Sequence, residues 1–487
     1  MKTEDTATSK KGRKDNKALD TFFKLIAFAY VVITIIFYIA ILKLDLLPGW
    51  VITIFTIAEI VFTLAMVIGL VKRHKTYKLT IISLIIILFV SGIYIYVTNY
   101  ALATISFLGD VFQETKETDE YYLIVRKDSS YAKIEDIENK NIHFFQVADD
   151  VKSEVTKKVR VTLVNQENLL DLGNKLIEKN VDVILTSATQ YSMLGDEIKN
   201  FRESTKILYT IKHEIQTSTK TAETGSKYSA KSGKFNVYIS GIDTSGSISN
   251  VARSDANILM TVNTDTHEAL LTSIPRDYYV TLHSYGAKDK LTHSGIYGIN
   301  ETVKTVEDLL DTDINYYVRV NFTTVIKLVD KLGGIDVYSD YSFTTSDKLY
   351  TFKKGYNHMN GEEALRFSRE RYAFAGGDNQ RVKNQQHVIE AIMKKVLNST
   401  TLLTKYTDIL DSLKGSFQTN IEQDDISKLV KDQINNMSSW TIKSNSLTGT
   451  GASSSTYSMG STKLYVMVPN STSVTSAKEK IDEVLGE

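Results

Sequence analysis

The chain is 487 residues long, carries 57 Lys and Arg against 57 Asp and Glu, and has eight His and no Cys. That length exceeds one ordinary core and predicts two or three folded units, while the lack of cysteine excludes a disulfide framework and any thiolate metal site. Scattered histidines argue against zinc and leave an oxygen-held hard cation as the metal to expect; no basic stripe interleaved with aromatics points to nucleic acid.

Met1 to Asp20 is polar and basic, with Lys10, Lys11, Arg13, Lys14 and Lys17, and reads as a disordered tail. Three apolar runs follow, Leu25–Leu42, Trp50–Val71 and Leu79–Thr98. Each is long enough, at about 1.5 Å per residue, to cross most of a hydrocarbon core of roughly 30 Å. Residues 21–100 are therefore predicted as a three-helix membrane anchor, since a cleaved signal peptide has one shorter apolar region. The tail and the second connection (Lys72, Arg73, Lys75, Lys78) are basic, whereas the first connection has only Lys43 and Asp45. By the positive-inside rule the amino terminus is cytoplasmic and everything after Thr98 is extracellular. Glu59 interrupts the second run; it reads either as an intramembrane contact to a lipid-linked substrate or another helix, or as a side chain reaching the interface.

Residues 101–216 alternate strand-like runs (Tyr121–Arg126, Ile142–Val147, Val181–Thr186, Lys206–His213) with helix-like ones (Gln166–Lys179, Ala188–Asn200). The rhythm predicts a small α/β accessory domain, with no catalytic constellation and a spacer or binding role. Residues 217–234 are Ser, Thr, Gly and Lys with almost nothing to bury, a linker. The remaining unit, 235–487, has its main body up to about Ser399. Beyond it come helices over Leu402–Leu413 and Asp424–Met437, a strand over Lys463–Val468, and a Ser/Thr/Gly-rich stretch, Ser444–Ser461, expected to be a mobile loop. The fold class is α/β behind three membrane helices.

In this last unit Phe235–Ile242, Ala256–Val262 and Glu268–Ile274 read as successive antiparallel strands. The first would end at the edge where the second starts and the third ends, so Asp243, Arg253, Asp255 and Arg276 converge at one rim, with Asp277 beside them. Pro275, one of three prolines, fixes the backbone before Arg276. Gly361–Phe367 is helix-like, and Arg369 and Arg371 share a face if Ser368–Phe374 is extended. Asp378 is a candidate N-cap for a helix over Asn379–Leu397, with Arg381 in its first turn and Gln385 one turn on. Such a rim is either a surface ion-pair network or a phosphate-transfer site, where two carboxylates share a divalent cation and guanidinium groups neutralise phosphoryl oxygens. The convergence of three charged clusters on strand and helix ends favours the site.

The runs GIDTSGSISNVARSDANILMTVN, TSIPRD, LVDKLGGIDV, KKGYNHMNGEEALRFSRER and GGDNQRVKNQQ resemble the successive motifs of the LytR-CpsA-Psr (LCP) family. The resemblance covers Phe235 to about Leu397, and the three spans followed by an extra domain are similar to capsule-type streptococcal members. It implies a central mixed sheet flanked by helices, with a polyprenyl chain in an apolar tunnel, and a ligase that moves a glycan from undecaprenyl pyrophosphate to peptidoglycan through a phosphodiester. It also implies a magnesium ion on Asp243 and Asp255. Arg276, Arg369, Arg371 and Arg381 would bind pyrophosphate, with Arg253, Asp378 and Gln385 supporting them. Capsular polysaccharide is the expected glycan, capsule-assembly membrane proteins are candidate partners, and Asp243 and Asp277 are the candidate general bases. Leu291–Gly298 (LTHSGIYG) departs from the family pattern, which puts a role for that stretch in doubt. Val318–Leu332 and Val388–Leu397 offer apolar faces at helical spacing that suit either a filled core or the tunnel. The competing function is a non-enzymatic protein that binds lipid-linked glycan and organises capsule assembly. A transcription regulator is excluded, because the short tail has no helical pattern with which to read DNA.

Overall fold

The computed structural model describes residues 17–72, 78–111, 117–215, 229–242, 248, 251–398, 417–436 and 440–487. Asp243, most of the tail and of the linker, and the helix expected over Leu402–Leu413 lie outside the described residues. The chain divides into two compact units, residues 1–109 with 426–437, and residues 110–425 with 438–487.

In the first unit, helices α1 (Lys17–Leu44), α2 (Gly49–Val71) and α3 (Lys78–Val111) are each long and apolar enough to cross a membrane. Their outward faces carry exposed Leu, Ile and Phe side chains such as Leu25, Ile57 and Phe89, as a lipid-facing surface does. α3 continues past Thr98, so the expected boundary near residue 100 falls within a helix. Glu59 is buried on α2 and accepts hydrogen bonds from Tyr94 on α3 and from Thr63. Its partner is therefore a neighbouring helix, which answers the cost of an acid at that depth.

The second unit opens with a five-stranded mixed sheet in the order β3-β2-β4-β1-β5. Its strands are β1 (Glu117–Arg126), β2 (Asn141–Phe144), β3 (Thr162–Asn165), β4 (Val183–Ser187) and β5 (Thr205–Ile215). Helices α4 (Asp149–Lys158), α5 (Leu169–Ile177), α6 (Ala188–Glu197) and the short α7 (Phe201–Ser204) connect them. Side chains alternate to two separate cores: Leu123, Val125, Val183 and Leu185 enter one cluster, Ile124 and Ile184 the other.

A six-stranded sheet follows, in the order β16-β11-β6-β7-β8-β17. Strands β6 (Lys234–Ile242), β7 (Ser254–Asn263) and β8 (Glu268–Ile274) form the expected antiparallel meander, with Ile242 opposite Ser254 and Asn257 opposite Ile274. The small ribbon β9 (Tyr279–Thr281) and β10 (Lys288–Lys290) leads through α8 (Leu291–Ser294) and α9 (Ile299–Leu310) to β11 (Tyr316–Asn321), which joins β6 in parallel. Here the expectation of helical spacing across Val318–Leu332 is corrected: its first part is strand, and α10 (Phe322–Lys331) begins only after Asn321 caps it. Alternation over YYVRVN obeys the strand period, and the change of period falls at the cap.

β12 (Ile335–Ser339), β13 (Phe343–Thr344), β14 (Thr351–Phe352) and β15 (Gly355–Met359) make two ribbons before α11 (Gly361–Arg369) and α12 (Asp378–Asn398). Asn360 and Glu363 form a reciprocal capping box on α11. Gly361 lets α11 start against the backbone of α10, because a Cβ there would lie 2.3 Å from the Ile326 carbonyl oxygen. β16 (Phe417–Thr419), α13 (Gln423–Asn436), β17 (Thr441–Ser446), the hairpin β18 (Gly449–Thr456) with β19 (Gly460–Pro469), and α14 (Ser471–Leu485) complete the chain. The mobile loop expected over Ser444–Ser461 is thus overturned. Its start completes β17, parallel to β8, and its remainder is a β-hairpin arm. The hairpin turn is tied down by the Ser458 amide donating to Asp289 Oδ2 at 2.8 Å and by the Ser458 hydroxyl on His293 Nδ1 at 2.8 Å. Ordering comes from these distant partners, not from composition.

Candidate active site

The meander brings Asp255 and Arg276 to one rim, as its antiparallel pairing requires. Arg276 Nη1 donates to Asp255 Oδ1 at 3.0 Å, and the Thr292 hydroxyl donates to the same oxygen at 3.0 Å. Burial alone would push the Asp255 carboxyl up, but the positive charges of Arg276, Arg253 and Arg381, with the Thr292 hydrogen bond, hold it below the usual carboxylate range. It is an ionised carboxylate set in a cationic surround. Pro275 accepts from the Tyr278 amide at 3.1 Å, a turn that aims Arg276 back over the sheet end. Thr292 belongs to the stretch LTHSGIYG whose role the departing motif left in doubt; it touches Asp255 directly.

Arg369 is the last residue of α11, so the extended Ser368–Phe374 segment expected from the sequence is corrected: Ser368 and Arg369 are helical, and the chain then turns, with the Phe374 amide donating to the Arg371 carbonyl at 3.3 Å. Arg371 sits in the following loop. That loop is fixed by Glu370, whose Oε1 accepts from the Arg371 and Ala373 amides at 3.0 Å each and whose Oε2 accepts from the Ser346 amide at 2.7 Å. Burial raises the Glu370 carboxyl, but these amides outweigh it and keep it ionised. The Arg371 guanidinium lies over the Tyr372 ring, 4.5 Å from its centroid. Helix α12 starts at Asp378 itself, one residue earlier than an Asp378 N-cap implies, after a turn in which Gly377 has φ +50°. Arg381 is buried in its first turn and Gln385 lies one turn on.

One cavity of about 480 Å³ unites these groups. At its mouth stand Arg253, Asp255, Arg276, Arg369, Arg371, Arg381 and Gln385; behind them the lining is Ile239, Ile242, Val320, Val325, Leu328, Leu365, Val388, Ile389 and Ile392. Apolar residues from β6, β11, α10 and α12 thus form a hydrocarbon-like trough that ends in a guanidinium cluster. Such a shape accepts a long apolar chain with a multiply charged anionic head.

Asp277 is not among the lining of that cavity. It is buried, paired with Lys290 Nζ at 3.2 Å and 3.8 Å from Arg276 Nε, and borders an adjoining polar cavity. Arg253 forms an ion pair outside the sheet, with Asp196 Oδ2 of α6 at 2.9 Å, and Asp196 Oδ1 is held in turn by Arg202 Nη2 at 2.9 Å. Sequence reasoning missed Asp196, Thr292, Lys290 and Glu370. Asp196 lies in the unit read as having no constellation, and only the folded chain brings it to the rim.

The chain belongs to the LytR_cpsA_psr family, whose pattern matches residues 197–480. It is 36% identical over 207 residues to the polyisoprenyl-teichoic acid–peptidoglycan teichoic acid transferase TagU of Bacillus cereus, which covers 42% of this chain and 66% of the relative. It is 36% identical over 220 residues to the Enterococcus faecalis protein of the same name, covering 45% of this chain and 71% of that one. Among solved structures, B. subtilis TagU is 32% identical, with a TM-score of 0.41 over 52% of this chain and 97% of that chain.

Proposed function

We propose that the protein is a membrane-anchored glycopolymer ligase that moves a glycan, in the best reading a capsular polysaccharide, from a polyprenyl-pyrophosphate carrier to peptidoglycan. The observation that carries the proposal is the single cavity in which an apolar trough ends at five arginines and a part-buried Asp255 that they hold ionised. The names of the curated relatives support the class of reaction, and the three apolar helices with their basic flanks support an anchor that leaves everything after Thr98 outside. The three spans and added α/β module, similar to capsule-type members, support the choice of glycan.

In this mechanism the polyprenyl chain lies along Ile239, Val320, Leu328 and Ile392, and the diphosphate meets Arg276, Arg369, Arg371 and Arg381. An acceptor hydroxyl attacks the glycan-proximal phosphorus; the new P–O bond forms as the bond to the lipid phosphate breaks, and the hydroxyl proton passes to a carboxylate, with Asp243 and Asp277 as candidates. Arginines placed where charge builds up on the bridging and terminal oxygens stabilise that transition state. Asp255 fits a magnesium ion, which is commonly held by one or two carboxylates plus substrate phosphates, and Asp243 is its proposed companion. Bound there, magnesium would neutralise phosphoryl oxygens.

Arg276→Ala and Arg371→Ala should each lower transfer of a labelled lipid-linked glycan to peptidoglycan by about a hundredfold or more, with the fold intact. Unchanged turnover in both variants sinks the ligase. Tight binding of the lipid-linked glycan with no transfer, magnesium and acceptor being present, would instead favour a glycan-binding organiser of capsule assembly.

A further inference from the structure

The stretch LTHSGIYG enters the site by more than the contact of Thr292 with Asp255. The Thr292 amide also donates to the Arg276 carbonyl at 2.8 Å, so the backbone carrying His293 is bonded to the backbone carrying Arg276. His293 is buried on α8, and its Nδ1 lies 2.7 Å from Asp289 Oδ1 and 2.8 Å from the Ser458 hydroxyl. Asp289, fully buried, accepts from the Lys290 amide at 2.7 Å on Oδ1 and from the Ser458 amide at 2.8 Å on Oδ2. A carboxylate that two amide donors hold is itself an acceptor, so the proton between the pair belongs on Nδ1 and Nε2 keeps its lone pair. Nε2 makes no hydrogen bond among the described residues, and His293 borders the polar cavity of about 470 Å³.

That cavity shares Arg253, Arg276 and Arg371 with the lipid-shaped one, so the two meet at the guanidinium groups. In-line displacement at phosphorus needs the attacking oxygen on the side away from the leaving group. With the lipid phosphate at the end of the apolar trough, that side is the polar cavity. The acids nearby are otherwise engaged: Asp255 and Asp243 are proposed for the cation, and Asp277 has Lys290 Nζ 3.2 Å from Oδ1 and Arg276 Nε 3.8 Å from Oδ2. Asp196 is paired with Arg253, which leaves Glu197 of α6 as the other acid on this wall. Tyr297, four residues along from His293, is pushed up by burial and by the charge of Asp289, and stays a neutral hydroxyl.

We propose that His293 is the catalytic base: its Nε2 takes the proton of the acceptor hydroxyl, while Asp289 fixes the tautomer and steadies the imidazolium that results. This rests on the ligase reading above and puts the imidazole in place of the carboxylates considered there. As the hydroxyl oxygen bonds to the glycan-proximal phosphorus its proton moves to Nε2, and the P–O bond to the lipid phosphate breaks with the electron pair on the leaving oxygen. The imidazolium then gives its proton to solvent.

The test uses the whole protein in detergent, with octaprenyl pyrophosphate carrying a labelled disaccharide as donor and peptidoglycan fragments as acceptor. His293→Asn keeps an amide that can donate to Asp289 and removes the base. It should lower kcat by about a hundredfold and leave the Kd for octaprenyl pyrophosphate within about twofold. A protonated imidazole cannot accept, so wild-type kcat should fall towards acid pH with a single-proton slope, and His293→Asn should lose that slope. Asp289→Asn, whose amide can donate to Nδ1 and so move the ring proton to Nε2, should cost a similar factor, and it decides the matter if His293→Asn no longer binds the lipid. Full rate in either variant overturns the assignment. So does a slow His293→Asn enzyme with the acid slope intact, since His293 would then only tie the hairpin turn while Glu197 or Asp277 took the proton. Wild-type protein that transfers nothing at any pH overturns the ligase reading instead, whereas normal transfer by His293→Asn leaves that reading standing and removes only the base.

Discussion

The two sheets of the second unit use the same alternation to opposite ends. In the five-stranded sheet, Leu123 and Val125 point to one packed cluster and Ile124 to the other, and both faces are filled. In the six-stranded sheet, Tyr238, Leu259 and Tyr317 pack against α9 and α14, but their neighbours Ile239, Ala256 and Val320 line a cavity of about 480 Å³. The difference lies in the covering helices. On that open side, α10, α11 and α12 bury Val329, Leu332, Phe367, Val388 and Ala391 in a cluster of their own with β12 and Phe343. Helices that have satisfied part of their apolar surface elsewhere need not collapse onto the sheet, and the space left over is available to a ligand.

The comparison breaks most sharply at one substitution in each sheet. Val320→Phe places a ring in the cavity, and should weaken octaprenyl pyrophosphate binding by about a hundredfold while moving Tm by no more than about 2 °C. Ile184→Phe, at a fully buried position on a filled face, should cost about 1–3 kcal/mol of stability from overpacking and leave lipid binding alone. Thermal melts and a lipid-binding isotherm on the two variants decide it. Equal destabilisation by both, or full lipid affinity in Val320→Phe, would mean that the space is ordinary core.

What could be read from residues alone follows from how local each determinant is. The rim carrying Asp255 and Arg276 was legible, because three short strands in succession admit few pairings and antiparallel pairing sends their ends to one edge. Arg371 and Arg381 were legible as a cluster on either side of a glycine pair. The trough was not, because Val320 alternates with Arg319 just as Ile184 does with Val183, and only the position of α10–α12 tells a void from a core. Ser444–Ser461 was misread for a related reason. Its Ser, Thr and Gly residues offer little to bury, and the strand order is imposed by β8, Asp289 and His293. Family resemblance, not periodicity, supplied the name of the reaction.

A smaller effect tests whether the filled module also contributes to the open site. Asp196 bridges Arg202 of its own module and Arg253 of the rim. Its side chain is 39% exposed, so screening limits what the pair is worth. Asp196→Ala should remove one of the groups that position Arg253 and lower kcat/KM for the lipid-linked donor by about fivefold, mainly through KM, and Asp196→Glu should restore most of it. A loss confined to kcat, or no rescue by the glutamate, would remove Asp196 as a positioning residue for Arg253.

The smallest predicted change belongs entirely to the filled sheet. Asp119 on β1 is buried, and burial raises its carboxyl to about 7 against an ordinary 3.8, even though the Tyr121 hydroxyl and the His213 charge pull it down. The fold therefore prefers the protonated acid. Its contribution is fully present below about pH 4 and is lost as pH rises through about 7, where the carboxylate must ionise in place. Asp119→Asn keeps the shape and removes the titration. Its gain in Tm should grow from pH 5 to pH 8, reaching about 2–4 °C at pH 8, and then level off, while donor binding stays the same at both pH values. A gain that is equal at pH 5 and pH 8 would show that Asp119 is ionised throughout, held by His213 across the strand pair. The two sheets would then differ in packing but not in holding an ionised carboxylate away from bulk water, since the part-buried Asp255 is kept ionised by its arginines.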